Sequence, residues 1–260
     1  MQLTVLGSAA SFAGAGQACS GYLVESDGTT VMIDCGNGTV ANAASVTDVT
    51  SLDAVLVSHT HADHFLDIFA LQAALRFAPE GPVGSLPAYL PEGLWERMNA
   101  LLPPSGQKHL GEAFEPHVHV VGEPLRIGAL TITAHAVDHD GPSFGFVVET
   151  PGARLAYTGD TRLGDAALAL AAGCDVLIAE CTLPAEYAGL APHLTGAEAG
   201  RLAKDSGAGL LVLTHLWPTA DHERMRLDAC AEFGGEVVLA SELMTIEIDP
   251  AAGSDKGATG

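Results

Sequence analysis

Four side chains able to bind a metal stand within six consecutive positions, His59-Thr60-His61-Ala62-Asp63-His64. Imidazole nitrogens and a carboxylate suit zinc and neighbouring first-row divalent ions. The hexapeptide follows an apolar run, Ala54-Val55-Leu56-Val57, that reads as a buried strand. It precedes Phe65-Leu66-Asp67-Ile68-Phe69-Ala70-Leu71, whose apolar stripe is helical. A strand-to-helix turn lets one short stretch of backbone aim several side chains at one point. The first expectation is a metal site.

Three further residues of ligand type fall where strands should end. Thr158-Gly159-Asp160-Thr161 closes an apolar run, with a glycine that lets the chain turn and point Asp160 outwards. Leu213-Thr214-His215 ends another, and His139 lies in a loop before a strand at Phe144. An Asp carboxylate has two oxygens and can bridge two ions roughly 3.5–4 Å apart. Each residue taken alone also fits a plainer role, Asp160 as a helix cap and the two histidines as loop residues. Their appearance together with the hexapeptide is what makes a two-metal site the expectation.

The elements that must position these residues interleave along 260 residues without a linker. Strands are expected at Leu3–Leu6, Gly21–Glu25, Thr30–Asp34 and Val55–Ser58, with Asp27-Gly28 as a hairpin turn. Later strands are expected at Val118–Val121, Leu130–Ala134, Phe144–Glu149, Arg154–Thr158, Val176–Ala179, Leu210–Leu213, Val237–Leu239 and Thr245–Ile248. Helices are expected over Leu94–Leu102, Asp165–Ala172, Gly196–Ser206 and Asp221–Phe233, and one short strand between Pro79 and Pro91. This order makes two α/β halves that face each other in a single domain, residues 1–250, followed by a Gly/Ala/Ser-rich tail, 251–260.

Composition narrows the function. With 48% hydrophobic residues a sizeable core can form, yet no apolar stretch approaches the roughly 20 residues a membrane span needs. The N-terminus reads as a first strand rather than a signal peptide, and five widely spaced cysteines with no Cys-x-x-Cys pair read as reduced, which together point to the cytoplasm. A net charge of -21, with no Lys/Arg cluster, disfavours polynucleotides and anionic membranes. A small anionic substrate stays open, because bound divalent ions reverse the local field.

The residues now carry a resemblance. The pattern His-x-His-x-Asp-His at His59–His64, with Asp34-Cys35-Gly36, His139, Thr158-Gly159-Asp160-Thr161 and Thr214-His215 in order, resembles the metallo-β-lactamase superfamily across essentially the whole chain. The resemblance implies an α/β fold, the four-layer αβ/βα sandwich, with a dinuclear site at one edge. It assigns His59, His61 and His139 to one divalent ion and Asp63, His64 and His215 to the other, with Asp160 bridging and Asp34 orienting the ligand histidines. The ions are expected to be zinc, with manganese or iron as alternatives.

Within the superfamily the chain is most similar to the ribonuclease Z and cyclic-nucleotide phosphodiesterase branch. Asp160-Thr161-Arg162 resembles a segment of that branch in which a basic residue follows the bridging aspartate. His193-Leu194-Thr195 resembles its His-x-Thr element, where the histidine pairs with an acid, matched here by Glu180. Ribonuclease Z carries a long arm that grips transfer RNA between the segments matching His139 and Asp160. Here only about twenty residues separate them, so the chain resembles the compact bacterial members instead.

The implied reaction is hydrolysis of a small phosphodiester such as a 3′,5′-cyclic nucleotide by a hydroxide bridging two metals. Asp63, Arg162, His193 and Glu180 are the expected catalytic residues, Arg162 stabilising charge at phosphorus and His193 giving the leaving ribose oxygen a proton. The alternative is hydrolysis of a thioester, lactone or lactam at the same centre. Partners are expected to be limited to the small substrate and, as relatives suggest, a second copy in a homodimer. His117 and His119 read as a solvated strand face. Trp95, Trp217 and Phe144 are candidates for stacking on a base, Trp217 first because it lies two residues past His215.

Overall fold

The computed structural model describes residues 1–79 and 82–248, so the expected tail at 251–260 lies outside the described residues. Six strands open the chain: β1 (Gln2–Gly7), β2 (Gly21–Ser26), β3 (Thr29–Cys35), β4 (Ala54–Leu56), β5 (Leu86–Leu90) and β6 (Phe114–Val118). Seven follow: β7 (Pro124–Ile127), β8 (Leu130–Ala136), β9 (Phe144–Thr150), β10 (Ala153–Tyr157), β11 (Val176–Glu180), β12 (Leu210–Thr214) and β13 (Glu236–Leu239). The last strand, β14 (Thr245–Glu247), returns to the first sheet beside β1. The order is β14-β1-β2-β3-β4-β5-β6 in one sheet and β13-β12-β11-β10-β9-β8-β7 in the other. Asp27 and Gly28 both have positive φ, 45° and 77°, as a two-residue hairpin turn between β2 and β3 requires.

Helices α1 (Thr39–Ala43), α2 (Ala62–Phe65), α3 (Ile68–Phe77), α4 (Leu94–Ala100) and α5 (Pro104–Ala113) belong to the first half. Helices α6 (Asp165–Ala171), α7 (Gly196–Ser206) and α8 (His222–Phe233) belong to the second. Three apolar clusters define the layers. Leu3, Tyr22, Ile33, Phe146, Leu155 and Ile178 fill the space between the sheets. Leu71, Leu75, Met98 and Leu110 pack helices onto the first sheet, and Leu170, Leu202, Met225 and Ala229 pack helices onto the second. This is the expected four-layer αβ/βα sandwich. Strand β11, Val176–Glu180, is buried at every position because both its faces are covered, which is why it reads as a continuous apolar run.

Strand direction gathers the chemistry. β3, β4, β5 and β6 run parallel to one another, and so do β10, β11, β12 and β13. Parallel strands bring their carboxyl ends to one edge, where ligands of open α/β sheets sit. Asp34 and Cys35 end β3, Glu180 ends β11, and His59, Asp160 and His215 follow β4, β10 and β12 within three residues.

Three expectations need correction, and two elements come in addition. The strand expected at Val118–Val121 lies earlier, at Phe114–Val118, where it pairs in parallel with β5. Its Pro116 can give no ladder hydrogen bond, and β6 is the edge strand, where proline is tolerated. Helix α5 and strand β7 were not expected. β4 stops at Leu56, short of Ser58, and the helix after the hexapeptide is broken at Leu66-Asp67, where α2 gives way to α3.

Candidate functional site

The turn after β4 places the hexapeptide against the edge of both sheets. Gly36 permits this approach: a Cβ there would sit 2.1 Å from the Asp63 carbonyl oxygen. Gly159, at φ 57°, does the same opposite, since a Cβ would meet the Phe144 carbonyl at 2.5 Å. Asp34, His215 and Ser11 adopt left-handed backbone at φ 57°, 50° and 62°. Such strain in non-glycine residues persists where surrounding structure over-determines it, and it concentrates at functional sites.

All seven expected metal ligands converge. His59, His61, His139 and Asp160 each offer an atom to one group, and Asp63, His64 and His215 to a second, with the atoms of each group within 4.8 Å of one another. Asp160 Oδ2 lies 3.5 Å from His59 Nε2, 3.9 Å from His139 Nε2 and 3.2 Å from His215 Nε2, while Oδ1 lies 3.4 Å from His64 Nε2. One carboxylate therefore touches both groups. Asp63 Oδ2 stands 3.8 Å from both His64 Nε2 and His215 Nε2, and accepts a 2.7 Å hydrogen bond from the Ser11 amide.

The outer nitrogens of His64, His139 and His215 are already occupied. His64 Nδ1 meets Asp34 Oδ2 at 2.7 Å, His139 Nδ1 meets the Pro192 carbonyl at 3.1 Å, and His215 Nδ1 meets Ser20 Oγ at 2.8 Å. An acceptor on Nδ1 fixes that proton there for His64 and His139 and turns a bare Nε2 lone pair inward. Asp34, fully buried, also accepts from Ser58 N, Ser58 Oγ and Tyr157 OH at 2.6, 2.8 and 2.7 Å.

The donor set fits divalent ions on a further ground. His64 Nε2 and Asp160 Oδ1 are buried without a hydrogen-bond partner among the described residues. Leaving such groups unpaired costs about 1–3 kcal/mol each, more when charged, and a cation between them removes that cost. Without one, charge redistributes within the cluster. His64 is held protonated well above the usual histidine range: burial opposes the charge, but Asp160 and Asp34 outweigh it. Asp160 is held well below the carboxylate range, its burial overridden by His215, His64 and His59. Burial, reinforced by His64, pushes His59 down, and burial also lowers His139.

A second pair adjoins the cluster. His193 Nδ1 lies 2.8 Å from Glu180 Oε1, and this pair and Asp160 form a third convergent group. Glu180 is fully buried, and its oxygens also accept from the Thr161 amide and from Thr182 N and Oγ1. Burial works against a charged His193, yet the Glu180 hydrogen bond and charge raise its pKa to about 9. The Arg162 guanidinium turns to Asp138, Nε to Oδ2 at 3.1 Å, with both side chains more than half exposed.

His117 and His119 do not form a solvated strand face. His117 stacks on Tyr89 at 4.9 Å, while His119 lies beyond β6, turned inward with Nε2 donating to the Val57 carbonyl at 2.8 Å. Phe144 is buried against His119 and takes no part in the site mouth. Ser11, Ser20, Ser58 and Tyr157 were not anticipated. Ser58 could have been read from its place before His59, and Tyr157 from the inward alternation of β10, but Ser11 and Ser20 carry no sequence signal.

The fold and this centre define a class, and comparison with known proteins agrees. A beta-lactamase superfamily domain is matched over residues 29–216, and the chain belongs to that superfamily. It is 37% identical over 244 residues to an uncharacterized protein of Mycobacterium tuberculosis, covering 91% of this chain and 88% of that protein. The probable metallo-hydrolase YhfI of Bacillus subtilis is 34% identical over 244 residues, 92% of this chain and 97% of its own. The crystal structure of YhfI, a metallo-beta-lactamase fold protein, superposes with a TM-score of 0.85 at 31% identity, covering 94% of this chain and 98% of YhfI. A ribonuclease Z of Mycobacterium bovis is 28% identical over 280 residues, 96% of this chain and 99% of that enzyme. The chain is a metallo-hydrolase superfamily member with histidines and aspartates placed to hold metal ions.

Proposed function

We propose that the protein is a metal-dependent phosphodiesterase acting on a small substrate such as a 3′,5′-cyclic nucleotide. The observation that carries this reading is the Glu180–His193 pair beside Asp160. A ribose oxygen leaving phosphorus is a strong base and needs a proton, whereas a thiolate leaving a thioester does not. His59, His61, His139, Asp63, His64, His215 and Asp160 would hold divalent ions, zinc foremost, which would supply Lewis acidity and acidify water towards neutrality.

The chain's own residues complete the arrangement. Asp34 fixes the His64 ring through Nδ1, and Ser11 fixes one Asp63 oxygen. Glu180 holds His193 by Nδ1, leaving Nε2 to deliver a proton to the departing oxygen. Arg162, which pairs with Asp138 beside His139, is the proposed source of positive charge for the phosphoryl group. Between His139 and Asp160 the chain makes only β9, a turn at Pro151-Gly152 and β10, with no room for an RNA-gripping arm. That brevity, together with the -21 charge, supports a small substrate over a polynucleotide. No helix among the described residues is long and apolar enough to cross a membrane.

The test is turnover of 3′,5′-cyclic AMP by metal-loaded protein, with 5′-AMP separated by chromatography. Product that vanishes with a chelator and in Asp160→Ala supports the reading. No product from protein carrying two metals sinks it, and hydrolysis of a thioester, lactone or lactam then takes its place.

A further inference from the structure

Two segments leave the centre and diverge around a groove of about 630 Å³, within the size range of small-molecule sites. One wall runs from Glu180 through Thr182, whose Oγ1 lies 2.8 Å from Glu180 Oε2 and 3.1 Å from the His215 carbonyl oxygen, to a single helical turn, Ala185–Tyr187. The other runs from His215 to Trp217 and the start of α8. His222 Nε2 donates to the Trp217 carbonyl at 2.7 Å and pins that wall. His193 follows Tyr187 by six residues and Trp217 follows His215 by two, so both walls of the groove are tethered by short stretches of chain to the centre.

At the groove the Tyr187 and Trp217 rings stand edge to face, 6.2 Å apart and 68° inclined. Neither ring belongs to any of the three apolar clusters that hold the sandwich together, and Tyr187 is 44% exposed. Their packing role is thus small, while aromatic faces at a site mouth are suited to stacking on planar ligands. Charge then selects the ligand. Glu186, Asp221 and Asp228 line the groove, and its one cation among the described residues, Arg224, is already paired with Asp228 at 3.0 Å. A phosphate is repelled from such a surface, whereas a neutral ring bearing N–H donors is welcomed by the carboxylate oxygens.

We propose that this groove is the specificity subsite for an amino-bearing nucleobase, with Trp217 stacking on its face and Tyr187 meeting its edge while the phosphate faces the metal ligands. The inference rests on the phosphodiesterase reading for its role in turnover, but base binding can be measured apart from it. The orientation puts the ribose, and its leaving oxygen, between the groove and the metal ligands, on the side where His193 stands.

Two measurements on the metal-loaded protein decide it. In Trp217→Leu, and separately in Tyr187→Leu, KM for 3′,5′-cyclic AMP should rise at least tenfold with kcat changed less than threefold. Hydrolysis of the 3′,5′-cyclic phosphate of 1-O-methylribose, which has no base, should be unchanged. In a Trp95→Phe background Trp217 is the only tryptophan, and adenosine should quench its fluorescence while ribose 5-phosphate does not. Quenching without any phosphodiester turnover upholds the subsite and overturns the phosphodiesterase reading. Turnover with unaltered KM in both variants and no quenching overturns the subsite alone.

Discussion

Two buried carboxylates, one in each half of the molecule, do the same structural work for different chemistry. Asp34 at the end of β3 and Glu180 at the end of β11 are both fully buried, and each grips several donors and one histidine through Nδ1. Asp34 takes Ser58, Tyr157 and His64; Glu180 takes Thr161, Thr182 and His193. The difference lies in what the free side of each histidine meets. His64 Nε2 has no hydrogen-bond partner among the described residues and faces Asp160 and Asp63, as a metal ligand must. His193 lies outside the groups His59-His61-His139-Asp160 and Asp63-His64-His215, converges instead with Glu180 and Asp160, and is raised towards a protonated state by its acid. An identical device thus orients a lone pair in one half and a proton in the other.

If that division holds, the largest effect comes from the Glu180 side. His193→Gln should lower kcat on a cyclic nucleotide about 10²–10³-fold while both metals remain, measured by turnover alongside elemental analysis. Substrates with a p-nitrophenolate leaving group, which departs without a proton, should be spared most of the loss. Equal losses on both substrates, or departure of a metal, would make His193 a ligand-like residue and erase the contrast.

Asp34→Asn should behave in the opposite way. The amide cannot accept from all the donors that the carboxylate now holds, so metal affinity should fall roughly 10–100-fold and folding stability by roughly 3 kcal/mol. Competition with a chromogenic chelator and denaturant melts measure the two. At saturating metal, kcat should return to near that of the parent. A permanent kcat defect at full occupancy would mean that Asp34 shapes the reaction as well as the ligand. The smallest activity effect is expected from Arg162→Gln, about a fivefold fall in kcat/KM, because the exposed pair with Asp138 holds the guanidinium only loosely.

How much of this contrast could be read from the chain follows the same division. The hexapeptide was legible because six adjacent residues cannot help meeting once a strand and a helix flank them. Asp160, His215 and Glu180 are far apart in sequence and became legible only through strand ends, since parallel strands deliver their carboxyl termini to one edge. Fold prediction failed where tertiary pairing overrode local preference. The apolar Val118–Val121 looks more strand-like than Phe114–Val118, yet pairing with β5 selects the latter. Helix α5 was hidden by Gly106 and Gly111, although Pro104 at its first turn is a legitimate start signal. The serines around the centre stayed invisible because a hydroxyl acquires meaning only from what it faces.

His119 extends the comparison to a histidine whose hydrogen bond goes to a carbonyl rather than an acid, with Asp34 acting on it only through space. Its Nε2 donates to the Val57 carbonyl, Phe144 and Phe146 flank its ring, and burial pushes its pKa down to about 4. The neutral form is therefore the folded one, and the unfolded chain takes up the extra proton. This contribution is complete above the ordinary value of about 6.5 and is lost as pH falls from there towards 4. Because part of the ring edge still meets solvent, the loss should be about 1–2 kcal/mol, below the full value of the shift. The measurement is the difference in chelator-treated unfolding stability between the parent and His119→Gln, followed from pH 7 to pH 4. That difference should shrink as the pH drops, because only the parent gains a proton on unfolding. A difference constant with pH would show that His119 is already solvated, and that a histidine in this fold needs neither burial nor a buried acid to keep its ordinary pKa.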